Sequence, residues 1–414
     1  MDIELVTVGT ELLLGFTVDT NSAEIGRALA AEGVRLVRRT SVADRPEEIA
    51  AAVAGALQRS GAVLTTGGLG PTRDDMTKTV VAALYDAPLE FDETVWQSLL
   101  ERYRRFGRAP AASNRTQAEV PRGATVLPNR WGTAPGLWLE GEPGLTIMLP
   151  GVPSEMRNLL AHEVLPRLRG RGSGKVIRSR AVRTTGIAES TLAERLGDIE
   201  DELEPLSLAY LPSVSGVDLR LTAWGLEASE ADDLLSAGVA RLTAAAGEFA
   251  YGTDDADLAA AVLDRARRAG LRLAAAESCT GGMVGTRLTA VPGSSDVFVG
   301  GVVCYDDRLK TLLLDVDPAT IARHGAVSGE VAAEMATGAL TRLAADAAVS
   351  VTGIAGPGGG SAEKPVGTVC IGVAGRGPVE TARMVFGGNR EEVRARAAQA
   401  ALRMLLGRIG SGDG

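Results

Sequence analysis

The first part of the chain alternates apolar runs with amphipathic segments. The runs IELVTVG, VRLVRRTSV and AVLTTGG predict strands, and the segments SAEIGRALAAEG and PEEIAAAVAGALQRS between them predict helices. This βαβαβ order predicts a doubly wound α/β domain with a mostly parallel sheet over residues 1–169. Ligands of such sheets bind at the carboxyl ends of the strands, so we look for chemistry at those ends.

The rest of the chain predicts two further domains. A glycine-rich break at 170–175 precedes a small α+β module over 175–250, with strands around VIRSRAVRTTG, LSLAYLPS and VDLRLTAWG. A second α/β domain follows over 255–409, and Asp257 is placed to cap its first helix. The predicted fold class is therefore α/β, with two doubly wound domains of mostly parallel sheets joined by a small α+β module.

Composition narrows the chemistry of the chain. The net charge of -9 argues against a nucleic-acid partner, and no apolar run is long enough to span a membrane. The three cysteines lack a CxxC spacing, which argues against zinc and disulfides and predicts a cytoplasmic protein. With only two histidines in the chain, we expect catalysis to depend on Ser, Lys, Tyr, Thr and carboxylates.

Three strand ends of the last domain carry reactive side chains. Ser278 lies in ESCTGG, Tyr305 and Lys310 lie in CYDDRLK, and Thr352 lies in VTGIAGPGGG. Because carboxyl ends of parallel strands meet at one edge of a sheet, these four side chains are predicted to converge. A lysine whose burial favours the neutral amine can deprotonate a serine, so the set predicts a hydrolase that needs no histidine.

Each of these residues also has an ordinary structural interpretation. A serine before Thr-Gly-Gly is often a helix N-cap, a lone lysine is usually solvated, and a lone tyrosine usually belongs to the core. Cys279, next to Ser278, is a rival nucleophile or a small buried residue. The residues alone leave these alternatives open.

The motifs occur together in a recognisable order. ESCTGG, LTAVPGSS, the Gly-Val-Val-x-Tyr-x-x-x-x-Lys run, GAVS, VTGIAGP and KPVGTV resemble the CinA C-terminal domain. That family has nicotinamide mononucleotide deamidase activity. The resemblance implies hydrolysis of the carboxamide to nicotinic acid mononucleotide and ammonia, with Ser278 as nucleophile, Lys310 as general base, and Tyr305 and Thr352 assisting.

The same resemblance implies no cofactor for the amidohydrolase and a small nucleotide as its substrate. Candidates for binding that substrate are Glu277, Thr280, Gly281, Gly282, Gly353, Arg390 and Arg394. Both arginines are alternatively solvated residues on a helix face. The chain departs from the family at Asp306 and Asp307, where relatives often carry Ser-Asn, and a carboxylate there would favour the ammonium form of the lysine.

The first domain carries a second set of motifs, GTELLLG, DTN, TTGGLGPTRDDMTK, GTAPG and LPGVPSEM. The turn that follows the third strand is suited to backbone contact with a phosphate. Asp74 and Asp75 either favour the positive end of the next helix or hold a divalent metal, and Glu155 is a further ligand, a base or a first-turn acid. The candidate residues of this N-terminal site are Asn21, Gly67, Gly68, Gly70, Asp74, Asp75 and Glu155.

These motifs resemble the MoaB/MogA-like molybdopterin-binding domain in its CinA form. The resemblance implies a metal-dependent ADP-ribose pyrophosphatase, with Asp74 and Asp75 near metal and phosphates. The alternatives are a pterin-binding or pterin adenylyltransferase-like protein, and a non-enzymatic accessory protein in competence or DNA damage. The middle module resembles the connector domain of the same family, and we expect it to space the active domains or support a homodimer.

Overall fold

The computed structural model describes residues 1–171 and 175–410. The predicted linker at 170–175 therefore falls partly outside the described residues, since 172–174 are not among them. The described chain divides into two compact units. One comprises Met1–Arg178 with Ala223–Leu234, and the other comprises Ser179–Thr222 with the chain from Leu235 onward.

The first unit is built around a six-stranded sheet. Strands of this part are β1 (Asp2–Val8), β2 (Arg35–Val42), β3 (Ala62–Thr66), β4 (Leu89–Phe91), β5 (Glu119–Pro121), β6 (Thr125–Leu127), β7 (Gly136–Gly141) and β8 (Gly144–Leu149). Its helices are α1 (Thr10–Leu13), α2 (Thr20–Ala31), α3 (Pro46–Ser60), α4 (Thr77–Leu84), α5 (Glu93–Arg105), α6 (Pro153–Leu159) and α7 (Leu165–Leu168).

The strand order of this sheet is β2-β1-β3-β8-β7-β6, and β4 pairs with β5 in a separate ribbon. The first three pairings are parallel, whereas β7 runs antiparallel to both of its neighbours. β1 and β3 are buried on both faces because helices cover the sheet on each side. The predicted α/β fold with a mostly parallel sheet is confirmed for this domain.

The middle module contains a four-stranded sheet in the order β10-β11-β9-β12. Its elements are β9 (Lys175–Thr184), α8 (Glu189–Leu196), β10 (Ser207–Ser213), β11 (Gly216–Glu227), α9 (Ala228–Ala246) and β12 (Ala250–Thr253). Thr185, directly after β9, accepts a hydrogen bond from Gln399 of the last helix at 3.2 Å, a contact made wholly within the second unit. This part of the module therefore packs with the C-terminal domain.

The C-terminal domain has a five-stranded sheet in the order β14-β13-β15-β16-β17. Its strands are β13 (Leu273–Glu277), β14 (Phe298–Val303), β15 (Ala347–Gly353), β16 (Thr368–Ala374) and β17 (Glu380–Val385). Its helices are α10 (Leu258–Ala269), α11 (Met283–Thr289), α12 (Asp307–Leu314), α13 (Pro318–His324), α14 (Gly329–Arg342) and α15 (Arg390–Gly410).

Helices cover both faces of this sheet. α10, α11 and α15 pack on one face, and α12 and α14 pack on the other. As predicted, Asp257 caps α10 by accepting hydrogen bonds from the backbone N–H groups of Ala259 and Ala260. β13 is parallel to β14 and β15, but β16 and β17 are antiparallel to their neighbours. None of the described helices is both long and apolar enough to cross a membrane.

Candidate functional site

Ser278 lies at the carboxyl end of the central strand of the C-terminal sheet. Its backbone N–H donates to the carbonyl of Val351 at 2.8 Å, and the N–H of Cys304 donates to the carbonyl of Glu277 at 2.8 Å. Residue 277 pairs with Val303 on one side and with Val351 on the other. The turn that carries Ser278 is therefore flanked by the strand ends that lead to Lys310 and Thr352.

The turn after Ser278 is capped by another residue. The carboxylate of Glu277, only 2% exposed, accepts hydrogen bonds from the N–H groups of Gly282, Val284 and Gly285 at 3.0, 3.1 and 2.8 Å. No side chain caps α11 in the usual N-cap position. The interpretation of Ser278 as an N-cap is therefore wrong, because Glu277 accepts the hydrogen bonds from the start of the helix.

The hydroxyl of Ser278 is left without a structural partner. It makes no hydrogen bond to any residue that the structure describes, although the residue is only 8% exposed. Gly281 and Gly282 have left-handed φ values of 59° and 95°, which let the chain reverse after the serine. Their N–H groups are already engaged, by the carbonyl of Ser278 and by Glu277, so they are not free to bind an anion.

Lys310 is the largest of the fully buried side chains, with 1% of it exposed. Its Nζ donates to the carbonyl oxygen of Cys304 at 3.2 Å and to Oδ1 of Asp307 at 3.0 Å. Asp306 faces away from it, since its carboxylate caps α12 and pairs with Arg308, which lowers the pKa of Asp306. The alternative of a solvated lysine is therefore wrong.

Tyr305 and Arg390 contact each other at the open side of the site. The phenol oxygen of Tyr305, a residue 60% exposed, accepts a hydrogen bond from Nη2 of Arg390 at 2.8 Å. Nη1 of the same arginine donates to the carbonyl of Gly356 at 2.6 Å. Tyr305 is thus not a core residue, and Arg390 is held in place by two contacts.

Thr352 and Thr280 are buried beside the site. The hydroxyl of Thr352 donates to the carbonyl of Ala326 at 2.8 Å, so its proton is directed at that loop. The hydroxyl of Thr280 is fully buried and has no hydrogen-bond partner among the described residues, while its carbonyl accepts from Arg394 at 2.8 Å. At Gly353, a Cβ would lie 3.0 Å from Sγ of Cys279, so this position requires glycine.

Cys279 belongs to the apolar core that α10, α11 and α15 form against the sheet. Burial raises the pKa of its thiol to about 12. A thiol is nucleophilic as the thiolate, which is scarce at neutral pH when the pKa is so high. The structure therefore favours the interpretation of Cys279 as a small buried residue.

The glycine turn of the first unit is tightly packed. A Cβ at Gly67 would lie 2.1 Å from the carbonyl of Val8, and one at Gly68 would lie 2.2 Å from the hydroxyl of Thr77. Both have left-handed φ values, of 105° and 68°. A Cβ at Gly70 would meet the carboxylate of Asp75 at 2.4 Å. Side chains are thereby excluded from Gly67 and Gly68, and the space beside Gly70 is taken by the carboxylate of Asp75.

Asn21 joins this turn to the loop after β8. Its Nδ2 donates to the carbonyl of Gly151 at 2.8 Å and to the hydroxyl of Thr66 at 3.3 Å. Its Oδ1 is buried and has no hydrogen-bond partner among the described residues. A buried acceptor of this kind carries a desolvation penalty that a ligand donor would relieve.

Asp74 and Asp75 lie in the turn before α4, which begins at Thr77, and not in the helix itself. Thr72 donates to Oδ2 of Asp75 through its N–H at 2.8 Å and also through its hydroxyl, and a hydrogen bond from Thr72 lowers the pKa of Asp74. Within the described residues, no group of three or more His, Cys, Asp and Glu side chains is placed to hold a metal ion.

Glu155 is half-buried and bound by a residue that sequence reasoning missed. Its carboxylate accepts a hydrogen bond from Asn129 at 2.5 Å; burial raises the pKa of Glu155, and this hydrogen bond opposes the shift. Asn129 also accepts from the N–H groups of Trp131 and Gly132. A Cβ at Gly132 would overlap Glu155 at 1.7 Å, so the first glycine of GTAPG makes room for this carboxylate.

Comparison with known proteins decides the family. Residues 4–170 match the family described as a probable molybdopterin binding domain, 179–252 match the damage-inducible protein CinA KH domain, and 255–409 match the CinA C-terminal domain. A CinA-like protein of Gemmatimonas aurantiaca is 52% identical over 406 residues, covering 97% of this chain and 95% of the relative. The chain belongs to the CinA family.

A second relative agrees with this CinA membership. A CinA-like protein of Chlorobaculum tepidum is 43% identical over 415 residues, covering 98% of each chain. Among solved structures, the competence/damage inducible protein CihA of Agrobacterium tumefaciens is 45% identical, covers 36% of this chain and 92% of that chain, and has a TM-score of 0.36.

The KH match gives the middle module of this CinA-family chain a class that sequence reasoning did not recognise. KH domains clamp nucleic acid with a GXXG loop. Residues 179–252 contain no two glycines with that spacing. The sequence signal by which a KH domain is usually recognised is therefore missing from this module.

Proposed function

We propose that the C-terminal domain hydrolyses nicotinamide mononucleotide to nicotinic acid mononucleotide and ammonia. The observation that carries the proposal is the complementarity of Ser278 and Lys310. A neutral lysine amine has two N–H donors and one lone pair that can take a proton. The carbonyl of Cys304 and the carboxylate of Asp307 use two donors of Lys310, which leaves the lone pair for the hydroxyl of Ser278. This hydroxyl, at the adjacent strand end, has no partner among the described residues.

The reaction proceeds in two halves. The hydroxyl oxygen of Ser278 attacks the carboxamide carbon while its proton passes to the neutral amine of Lys310. The carbon–nitrogen bond then breaks, and the leaving nitrogen takes this proton and departs as ammonia. Water attacks the acyl-serine, gives its proton to the same amine, and releases the acid, with the proton returning to the serine. The carbonyl of Cys304 and the carboxylate of Asp307 orient the amine throughout.

The deamidase proposal is tested by ammonia release from nicotinamide mononucleotide. Ser278→Ala is expected to abolish turnover because it removes the nucleophile, and Lys310→Met to do the same because it removes the base. Cys279→Ala, a change at the adjacent buried position, is the matched control and is expected to retain turnover. An inactive wild-type protein, or an active Ser278→Ala variant, would contradict the proposal.

For the first domain we propose a metal-dependent ADP-ribose pyrophosphatase. Support comes from the glycine turn without side chains, the unpartnered Oδ1 of Asn21 and the two aspartates that follow the turn. Mg²⁺ commonly binds through one or two carboxylates with substrate phosphates and water completing the shell, which fits Asp74 and Asp75 without a third protein ligand. Such an ion would neutralise charge developing on the diphosphate.

ADP-ribose hydrolysis with Mg²⁺ or with EDTA tests this second activity. Asp75→Asn is expected to abolish hydrolysis, because it removes a charged ligand while keeping the acceptor for Thr72. Glu47→Gln, at an exposed acid in the first turn of α3, is the control. Hydrolysis that persists in EDTA or in Asp75→Asn would refute the metal role. Tight binding of a pterin without ADP-ribose hydrolysis would favour the pterin-binding alternative.

A further inference from the structure

A cavity of about 600 Å³ lies in the C-terminal domain between the start of α14 and the outer strands of the sheet. Its volume is within the range of small-molecule sites. Neither the nucleophile nor the base lines it. The lining residues that matter here are His324, Glu330, Lys364, Cys370, Thr381 and Arg383.

Strand pairing places this cavity in line with Ser278. Ser278 directly follows Glu277, which pairs with Val351, and Thr352 directly follows Val351. Thr352 pairs with Cys370, and Cys370 pairs with Arg383. Paired residues of neighbouring strands project from the same face of a sheet. Three strand spacings separate Ser278 from Arg383, which is roughly 14 Å along this face.

One loop forms a wall that the cavity shares with the reaction site. Ala326 lies in the loop between α13 and α14, and its carbonyl accepts the hydrogen bond from Thr352. His324 and Ser328, on either side of Ala326, line the cavity. A ligand in the cavity would therefore rest against the loop that contacts the residue next to the nucleophile.

Two cations line the cavity without a carboxylate partner. Nζ of Lys364 donates to the carbonyl of His324 at 2.6 Å, and Nη2 of Arg383 donates to the carbonyl of Glu363. Neither cation makes an ion pair with any described residue. Glu330 also lines the cavity, and its Oε1 lies 3.4 Å from Nδ1 of His324. Burial raises the pKa of the Cys370 thiol, and the nearby charges of Arg383 and Lys364 oppose this rise.

We infer that this cavity binds a phosphate monoester through Lys364 and Arg383, with the hydroxyl of Thr381 as a further donor. An arginine fork and a lysine charge are the usual partners of a phosphate. The position along the sheet suits the 5′-phosphate of a mononucleotide whose carboxamide lies at Ser278, an assignment that rests on the proposed deamidase. A second, separate phosphate compound would satisfy the same chemistry.

The test compares Arg383→Gln and Lys364→Gln with wild type. Ammonia release is measured with nicotinamide mononucleotide and with nicotinamide riboside, which lacks the phosphate, and inorganic phosphate binding is measured by calorimetry. Arg376→Gln, at an exposed arginine in the turn between β16 and β17, is the matched control. A lost charged hydrogen bond should lower kcat/KM for the mononucleotide about tenfold to a hundredfold more than for the riboside.

Each outcome separates the hypotheses. A selective loss for the mononucleotide supports the cavity as the substrate's phosphate site. Loss of phosphate binding in Arg383→Gln with an unchanged ratio between the two substrates supports a site for a separate phosphate compound. An unchanged ratio together with unchanged phosphate binding overturns the inference. If wild type deamidates neither compound, the proposed function fails, and calorimetry still decides whether the cavity holds phosphate.

Discussion

Glu277→Gln is the substitution that best separates a structural role from a role in substrate binding. Oε2 of the carboxylate accepts from Gly282 and Val284, and Oε1 accepts from Gly285. A glutamine has one acceptor oxygen, so at least one buried N–H loses its partner, at a cost of about 1–3 kcal/mol. Loss of the negative charge at the start of α11 adds about 0.3–1 kcal/mol. We therefore expect the turn to lose about 1–4 kcal/mol.

Hydrogen exchange followed by mass spectrometry measures this loss directly. A loss of about 2 kcal/mol lowers the protection of the amides of 282–285 by roughly thirtyfold, because each 1.36 kcal/mol is a factor of ten. Glu391→Gln, at an exposed acid in the first turn of α15, is the control and should leave these amides unchanged. The KM for nicotinamide mononucleotide is measured on the same samples.

The opposite pattern would refute this account of Glu277. If protection of 282–285 stays at the wild-type level while KM rises, the carboxylate contacts substrate and the three hydrogen bonds contribute little. If protection falls and kcat falls with it, the cap positions the turn that carries Ser278. A substrate-binding role for Glu277 thus predicts a change in KM, whereas a capping role predicts a loss of amide protection at 282–285.

Three further predictions follow from buried groups. Burial lowers the pKa of Lys78 from 10.5 to about 8 in the folded protein. Because the unfolded state then binds the proton more tightly, the free energy of unfolding should rise by up to about 3 kcal/mol between pH 8 and 10.5. Urea unfolding followed by tryptophan fluorescence should show this rise in wild type and not in Lys78→Met. Iodoacetamide should leave Cys279 unlabelled at pH 8 by mass spectrometry, because its thiol is buried and protonated. Thr352→Val should lower the unfolding free energy by about 1 kcal/mol in circular dichroism by removing the bond to Ala326, whereas complete loss of turnover with unchanged stability would indicate a proton relay.

The strand ends of both α/β domains could be predicted because they depend on local patterns. Buried apolar runs followed by glycine or a turn mark where a parallel strand delivers side chains to the edge of a sheet, and Ser278 and Thr352 follow from that rule. Lys310 lies further along the chain, inside α12. Strand direction could not be predicted for β16, because a fully buried strand has the same apolar pattern whether it runs parallel or antiparallel.

Contacts between positions far apart in the chain also could not be predicted from the sequence. Glu155 and Asn129 are 26 positions apart, and nothing in either motif indicates that their side chains meet. Glu277 caps α11 from the end of a strand, five residues before the first N–H that it accepts, which is not an N-cap spacing. Both contacts depend on how two loops pack, which local propensity does not specify.

The two aspartates after Tyr305 make different contacts because α12 begins between them. Asp306 precedes the first turn of α12 and caps it, so its charge is used by the helix and by Arg308. Asp307 is inside the helix, three residues before Lys310, and this spacing brings the two side chains together on one face. The carboxylate of Asp307 therefore contacts the buried amine of Lys310, whereas that of Asp306 stays with the helix start and Arg308.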